Sequence, residues 1–98
     1  MFVIADRVKE TTITEGTGDI LLNASFGAFA TFAQGVGDGN STYYAIENNT
    51  SWEVGIGTYT ASTNKLSRDT VLKSSNSDSL IDLSGLSTVF ATYAGSRA

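Results

Sequence analysis

Hydrophobic and polar positions alternate along much of this chain, most cleanly over residues 51 to 60. There Trp52, Val54, Ile56 and Thr58 fall on one side of an extended segment, and Glu53, Gly55, Gly57 and Tyr59 fall on the other. Glycines at alternate positions leave a flat strip, which another backbone or an aromatic ring can approach closely. Ser41 to Glu47 reads as a second strand. Asn48-Asn49-Thr50 supplies a tight connection between the two, since Asn tolerates a left-handed backbone. Upstream, Phe2 to about Thr14 alternates imperfectly, with Val3, Ala5, Arg7 and Lys9 against Ile4, Asp6, Val8 and Glu10. With the turn at Glu15 to Gly18 and a short strand from Asp19 to Asn23, this run predicts a hairpin.

Other stretches are less regular. Between Ala24 and Gln34, Phe26, Phe29 and Phe32 recur at every third position, which suits one helical turn or a bent strand. Gly35-Val36-Gly37-Asp38-Gly39-Asn40 is the strongest loop signal. Beyond residue 60 the pattern predicts a turn at Ala61 to Asn64, a strand from Lys65 to Leu72 and a polar loop from Lys73 to Ser79. A short strand from Leu80 to Leu83 follows, then a connection at Ser84 to Ser87, a last strand from Thr88 to Tyr93 and an exposed tail.

Composition supports strands throughout. Thr, Ser, Asn and Gly make up 41 of the 98 residues, and all four are poor choices for a helix interior. Proline is absent, so Gly and Asn make the turns. The expected fold is all-β, a single compact β-sandwich or small β-barrel of about seven short strands. It forms one domain over residues 1–98. Residues 1–14 are an extended strand or arm available for subunit contacts.

Charge and missing residue types narrow the chemistry. The chain has neither Cys nor His, so disulfides, thiolate metal sites and the usual neutral-pH general base are excluded. A net charge of −4 argues against nucleic acid, because a phosphate-neutralising protein needs a positive surface. No apolar run is long enough for a membrane helix, and the N-terminus lacks a signal-peptide pattern, so a soluble chain made inside a cell is expected. The glycine loop lacks the strand-before, helix-after context of a phosphate cradle and reads as a sharp turn. Asp38 and Asn40 are too few oxygen ligands for calcium. Glu47, Glu53 and Asp69 read as hairpin-rim charges rather than a catalytic pair. Neither Ser67 nor Ser74 with Lys73 is singled out as a dyad. No catalytic, cofactor-binding or metal-binding residue is expected, and the chain reads as a non-enzyme.

The remaining candidates concern contacts. The mixed-sign groups Arg7, Lys9, Glu10 and Lys65, Arg68, Asp69 suit solvated strand faces or charge pairing across a subunit contact. Core packing accounts for most of Trp52, Tyr43, Tyr44, Tyr59 and Tyr93. Adjacent tyrosines on one strand must point opposite ways, so one of Tyr43 and Tyr44 is left as an anchor outside the core. The candidate interface residues are Phe2, Ile4, Arg7, Lys9, Tyr43, Tyr44, Trp52, Tyr59 and Arg68.

Three stretches together resemble a family of small tailed-bacteriophage virion proteins and fibre-type modules. They are Phe2 to Thr12 followed by Gly16-Thr17-Gly18, Gly35 to Ile46 with Trp52 to Thr60, and Leu66 to Asn76 with an ending through Tyr93. The three phenylalanines between Ala24 and Gln34 depart from the pattern. The resemblance implies a β-rich, homotrimeric, non-enzymatic virion component without cofactor, made in the host cytoplasm. A chain this short suits a head-decoration (cement) subunit that binds between major capsid proteins. The alternatives are a fibre-base, neck or tail adaptor module, and a carbohydrate-binding β-domain using Trp52 or Tyr59 as a stacking platform.

Overall fold

The structure is a computed structural model and describes residues 1–5, 7–25 and 28–92. Asp6, Phe26, Tyr93 and the tail, all used in the readings above, lie outside the described residues. The strand pair read most clearly from the sequence forms the centre of the fold. β4 (Ser41–Asn48) and β5 (Ser51–Thr60) pair antiparallel along their whole length, from Ser41–Thr58 to Asn48–Ser51. Asn49 makes their turn at φ 57°, in the left-handed region that Asn accepts at low cost.

The other strands extend this pair into one curled antiparallel sheet, a half-barrel rather than two packed layers. They are β1 (Lys9–Thr12), β2 (Ile20–Leu21), β3 (Ala24–Ser25), β6 (Lys65–Leu66), β7 (Thr70–Ser74) and β8 (Ser87–Ala91). The sheet order is β2-β6-β5-β4-β8-β1-β3, with β7 also on the β5 edge. The all-β expectation holds. The radius of gyration, 11.9 Å, is near the about 12.6 Å expected for a globular chain of this length.

Several local expectations are corrected. The predicted hairpin does not form as a ladder, because β1 lies between β8 and β3 while β2 pairs with β6. Hydroxyl bonds join the two segments instead. The Thr12 hydroxyl donates to the Leu21 carbonyl at 2.6 Å, and the Leu21 amide donates to the Thr14 hydroxyl. These bonds, with the Asn23 amide on the Thr11 carbonyl, draw one end of the sheet order toward the other.

The single strand expected over Lys65 to Leu72 is broken into β6 and β7, and the β5–β7 register slips between Val54 and Gly55. Between them Arg68 turns inward, while Ser67 and Asp69 stay hydrogen-bonded to Thr58. The expected strand at Leu80 to Leu83 is reduced to one bridge between Gly16 and Leu83. At the ambiguous phenylalanines, Phe32 opens a one-turn helix, α1 (Phe32–Gly35), capped by reciprocal bonds between Thr31 and Gln34.

Alternate residues of each strand point into the curl. β4 sends in Thr42, Tyr44 and Ile46, while β1 and β8 add Glu10, Thr12 and Val89. Phe32, Val36, Ile20, Leu22, Leu66, Ile81 and Leu83 complete the core. The inward side of β5 is the unusual one, carrying Glu53, Gly55, Gly57 and Tyr59. A Cβ on Gly55 would stand 2.7 Å from the Tyr44 hydroxyl and would also meet the Thr70 carbonyl; one on Gly57 would meet Leu66 and the Ser67 carbonyl. The flat strip thus takes both an aromatic ring and a backbone.

Candidate functional site

Two constellations stand out, one inside the curl and one outside. The inner one centres on Glu53, fully buried on β5, and Arg68, whose side chain is 1% exposed. Guanidinium nitrogens meet both carboxylate oxygens, Nε to Oε2 at 2.9 Å and Nη2 to Oε1 at 2.6 Å. The Tyr44 hydroxyl donates to Oε2 at 2.6 Å, and the Ile81 amide donates to Oε1 at 2.9 Å. Arg68 also reaches the carbonyls of Gly16, Gly18 and Ile81. All five guanidinium donors and four acceptor positions of the carboxylate are therefore used.

Burial alone pushes the Glu53 carboxyl up. The Arg68 and Tyr44 hydrogen bonds, the Ile81 amide and the Arg68 charge together outweigh that and hold it below the ordinary carboxylate range. The Tyr44 hydroxyl is pushed far above its usual range by burial and by the carboxylate it faces. A group already saturated with partners inside the fold is a pin, not a reagent. It ties β4, β5, the 67–69 corner, the 16–18 turn and the 81–83 segment to one point.

This corrects the reading of Glu53 as a rim charge and of Arg68 as a solvated or interfacial one. Tyr44 (fully buried) and Tyr59 (2% exposed) are likewise core residues, although they were candidate contacts. The Tyr59 hydroxyl donates to Asn64 Oδ1 at 2.7 Å. Glu47 points outward and Glu53 inward, so they do not face each other across a cleft. The glycine loop is a turn as expected. The amides of Gly35, Val36, Gly37, Gly39 and Asn40 each donate to a carbonyl of the chain, which leaves no ring of free donors for an anion. The Ser74 hydroxyl donates to the Ser79 carbonyl, and Lys73 lies 3.9 Å from Asp78, so no Ser–Lys pair forms. Among the described residues no group of three or more acidic side chains is placed to hold a metal ion, and no helix is long and apolar enough to cross a membrane.

The outer constellation gathers the other candidates. Outward positions of β4, β5 and β8 set Tyr43 opposite Ile56, and Ala45 between Val54 and Phe90. Ala45 is only 8% exposed although it points out, because its larger neighbours cover it. Trp52, opposite Glu47, stays 42% exposed. The N-terminal segment bridges to Ser41, so the Phe2 ring stands edge-on to Tyr43, centroids 4.7 Å apart. Of the adjacent tyrosines, Tyr44 is the core residue and Tyr43 the outward one. Ile4, 54% exposed, follows Phe2.

Where β1 and β8 meet this face, Arg7, Lys9, Phe29, Glu47 and Phe90, with Val8 and Ala91, line a pocket of about 280 Å³. The Arg7 guanidinium lies 4.3 Å from the Phe29 ring centre, and the Lys9 ammonium lies 5.3 and 5.8 Å from Phe29 and Phe90. Phe29 and Phe90 were not among the candidates. The period-2 pattern from Thr88 places Phe90 on an outward position, but nothing local signals that Phe29 joins it from the other side of β1. No family model matches this chain, and no curated protein or solved structure matches it either.

Proposed function

We propose that this protein is a structural subunit of a tailed-bacteriophage particle, acting as a head-decoration protein that binds between capsid subunits through the outer face of its sheet. The observation that carries this reading is the division of the molecule. Its polar interior is spent on holding the curl, while Phe2, Tyr43, Trp52, Val54, Ile56 and Phe90 face outward on one side. Apolar and aromatic side chains collected on one face are what a docking surface requires. The resemblance of its sequence to small virion proteins suggests the choice of partner, a capsid protein, with further copies of the chain beside it.

Counting copies in purified particles tests the assignment. Hundreds per particle fit decoration, a dozen or fewer fit a neck, tail or fibre-base adaptor, and absence from every particle removes the proposal. Trp52, exposed and opposite the Glu47 carboxylate, supports a second reading as a sugar-stacking platform. Glycan-array binding that disappears in Trp52→Ala would favour it; a wild-type chain that binds no glycan ends it.

A further inference from the structure

The polar groups around the pocket between β1 and β8 are of two kinds. Lys9 and Phe29 are engaged within the fold, Lys9 against both phenyl rings, and they act as walls. The Arg7 guanidinium lies over Phe29 and makes no hydrogen bond or ion pair among the described residues. The same is true of the Glu47 carboxylate, which is exposed and lines the pocket, and of the Trp52 indole N–H. Glu47 is also the residue opposite Trp52. One carboxylate therefore stands between an exposed indole and a pocket walled by phenyl rings. Trp52 and Phe90 are two strands apart, about 10 Å across the sheet at ~4.8 Å per strand. Arg7 takes φ 56°, a left-handed backbone that a non-glycine residue adopts at a cost, and such residues cluster at ligand sites.

We infer that the pocket lined by Arg7, Glu47 and Phe90 binds one ring of a neutral sugar, with the next ring lying toward Trp52. The inference rests on the sugar-binding reading of this face and adds the pocket to it. The lining carries both signs, so a carboxylate or phosphate placed there faces Glu47, and an ammonium group faces Arg7 and Lys9. An uncharged polyol meets neither repulsion. Its hydroxyls accept from the guanidinium and donate to the carboxylate, and it neutralises no charge, so the ring contacts of the two cations stay as they are. The C–H face of a sugar ring suits phenyl and indole surfaces, in a site where apolar walls hold the ligand and a few polar groups orient it. About 280 Å³ is just below the ~300 Å³ at which small-molecule sites begin, which suits a single ring rather than a larger ligand.

Amide NMR titration of the full chain with cellobiose, lactose and N,N′-diacetylchitobiose tests this. At least one should move the amides of Glu47, Trp52 and Phe90. Its affinity should change less than about 2-fold between about 0.05 and 0.5 M salt, because no charge is neutralised. Glu47→Ala and Phe90→Ala should each weaken binding at least ~10-fold. Glu47 is exposed and outward, so Glu47→Ala carries the test if Phe90→Ala does not fold. No amide shift with any of the three sugars at about 50 mM overturns the inference. Binding that fades with salt, or that acetate displaces, marks an anion site and overturns it too. Glycan-array binding lost in Trp52→Ala but unchanged in Glu47→Ala and Phe90→Ala sinks this inference alone. Binding lost in both pocket variants but kept in Trp52→Ala supports the pocket and sinks the Trp52 platform.

Discussion

At the residue scale, Arg68 and Glu53 carry the largest single consequences. Removing one member of a buried, hydrogen-bonded ion pair leaves the other charged and unpaired, a loss of about 3–5 kcal/mol. Glu53→Gln is expected to cost that much at pH 7 in urea unfolding. Because the folded carboxyl titrates below its ordinary value, its contribution is complete above about pH 4.5 and is lost as pH falls through the lower folded value. The penalty of Glu53→Gln should therefore shrink in acid.

Glu10 behaves oppositely. It is buried beneath α1, where it accepts the Phe32 amide at 2.7 Å, and burial raises its carboxyl despite that bond. A raised folded value favours folding at low pH, and this contribution disappears as pH climbs through it. Glu10→Gln should stabilise the protein at neutral pH, with the gain vanishing below about pH 4.5. A neutral-pH gain that persists unchanged in acid would contradict the assignment. Gly55→Ala pushes a methyl against Tyr44 and the Thr70 carbonyl, an overpacking cost of about 1–3 kcal/mol measurable as a lower urea midpoint.

At the scale of elements, the curl depends on short segments joined by side chains as much as on ladders. β2 and β6 contribute two residues each, and the Asn64 side-chain amide on the Leu22 carbonyl adds to what holds them. Thr12→Val keeps the shape but leaves the Leu21 carbonyl and Thr14 amide without the hydroxyl, a loss of about 1–3 kcal/mol. Amide exchange at Leu21 and Leu22 should quicken more than at Ile46 or Val89; uniform acceleration would mean that the lacing does not govern this end. The long pair β4–β5 was legible in advance because alternation and an Asn turn agree locally. The break between β6 and β7 was not, since it exists to bring Arg68 to a carboxylate 15 residues away in sequence.

At the scale of the whole molecule, the N-terminal segment lies against the outer face through the Phe2–Ser41 bridge and the Phe2–Tyr43 ring contact. β1 is an interior strand of the sheet and Val8 a core residue, so only the residues before them can serve as a detachable arm. Under the proposed decoration role, deleting residues 1–5 should leave a β-like circular dichroism spectrum and weaken binding to capsid particles, since removing Phe2 uncovers Tyr43. Undiminished binding would remove the arm from the interface.

Strand content, the central hairpin, the turns and the exclusion of thiol and imidazole chemistry were settled by residue type and short-range spacing, because those effects act within a few positions. Which side of each strand faces inward was a tertiary decision. On β5, tryptophan, valine and isoleucine are turned outward while a glutamate goes in, because the space over two glycines is filled by Tyr44, Leu66 and the Ser67 and Thr70 carbonyls, and Arg68 meets the glutamate. Hydrophobicity along one strand holds no information about what will arrive above it.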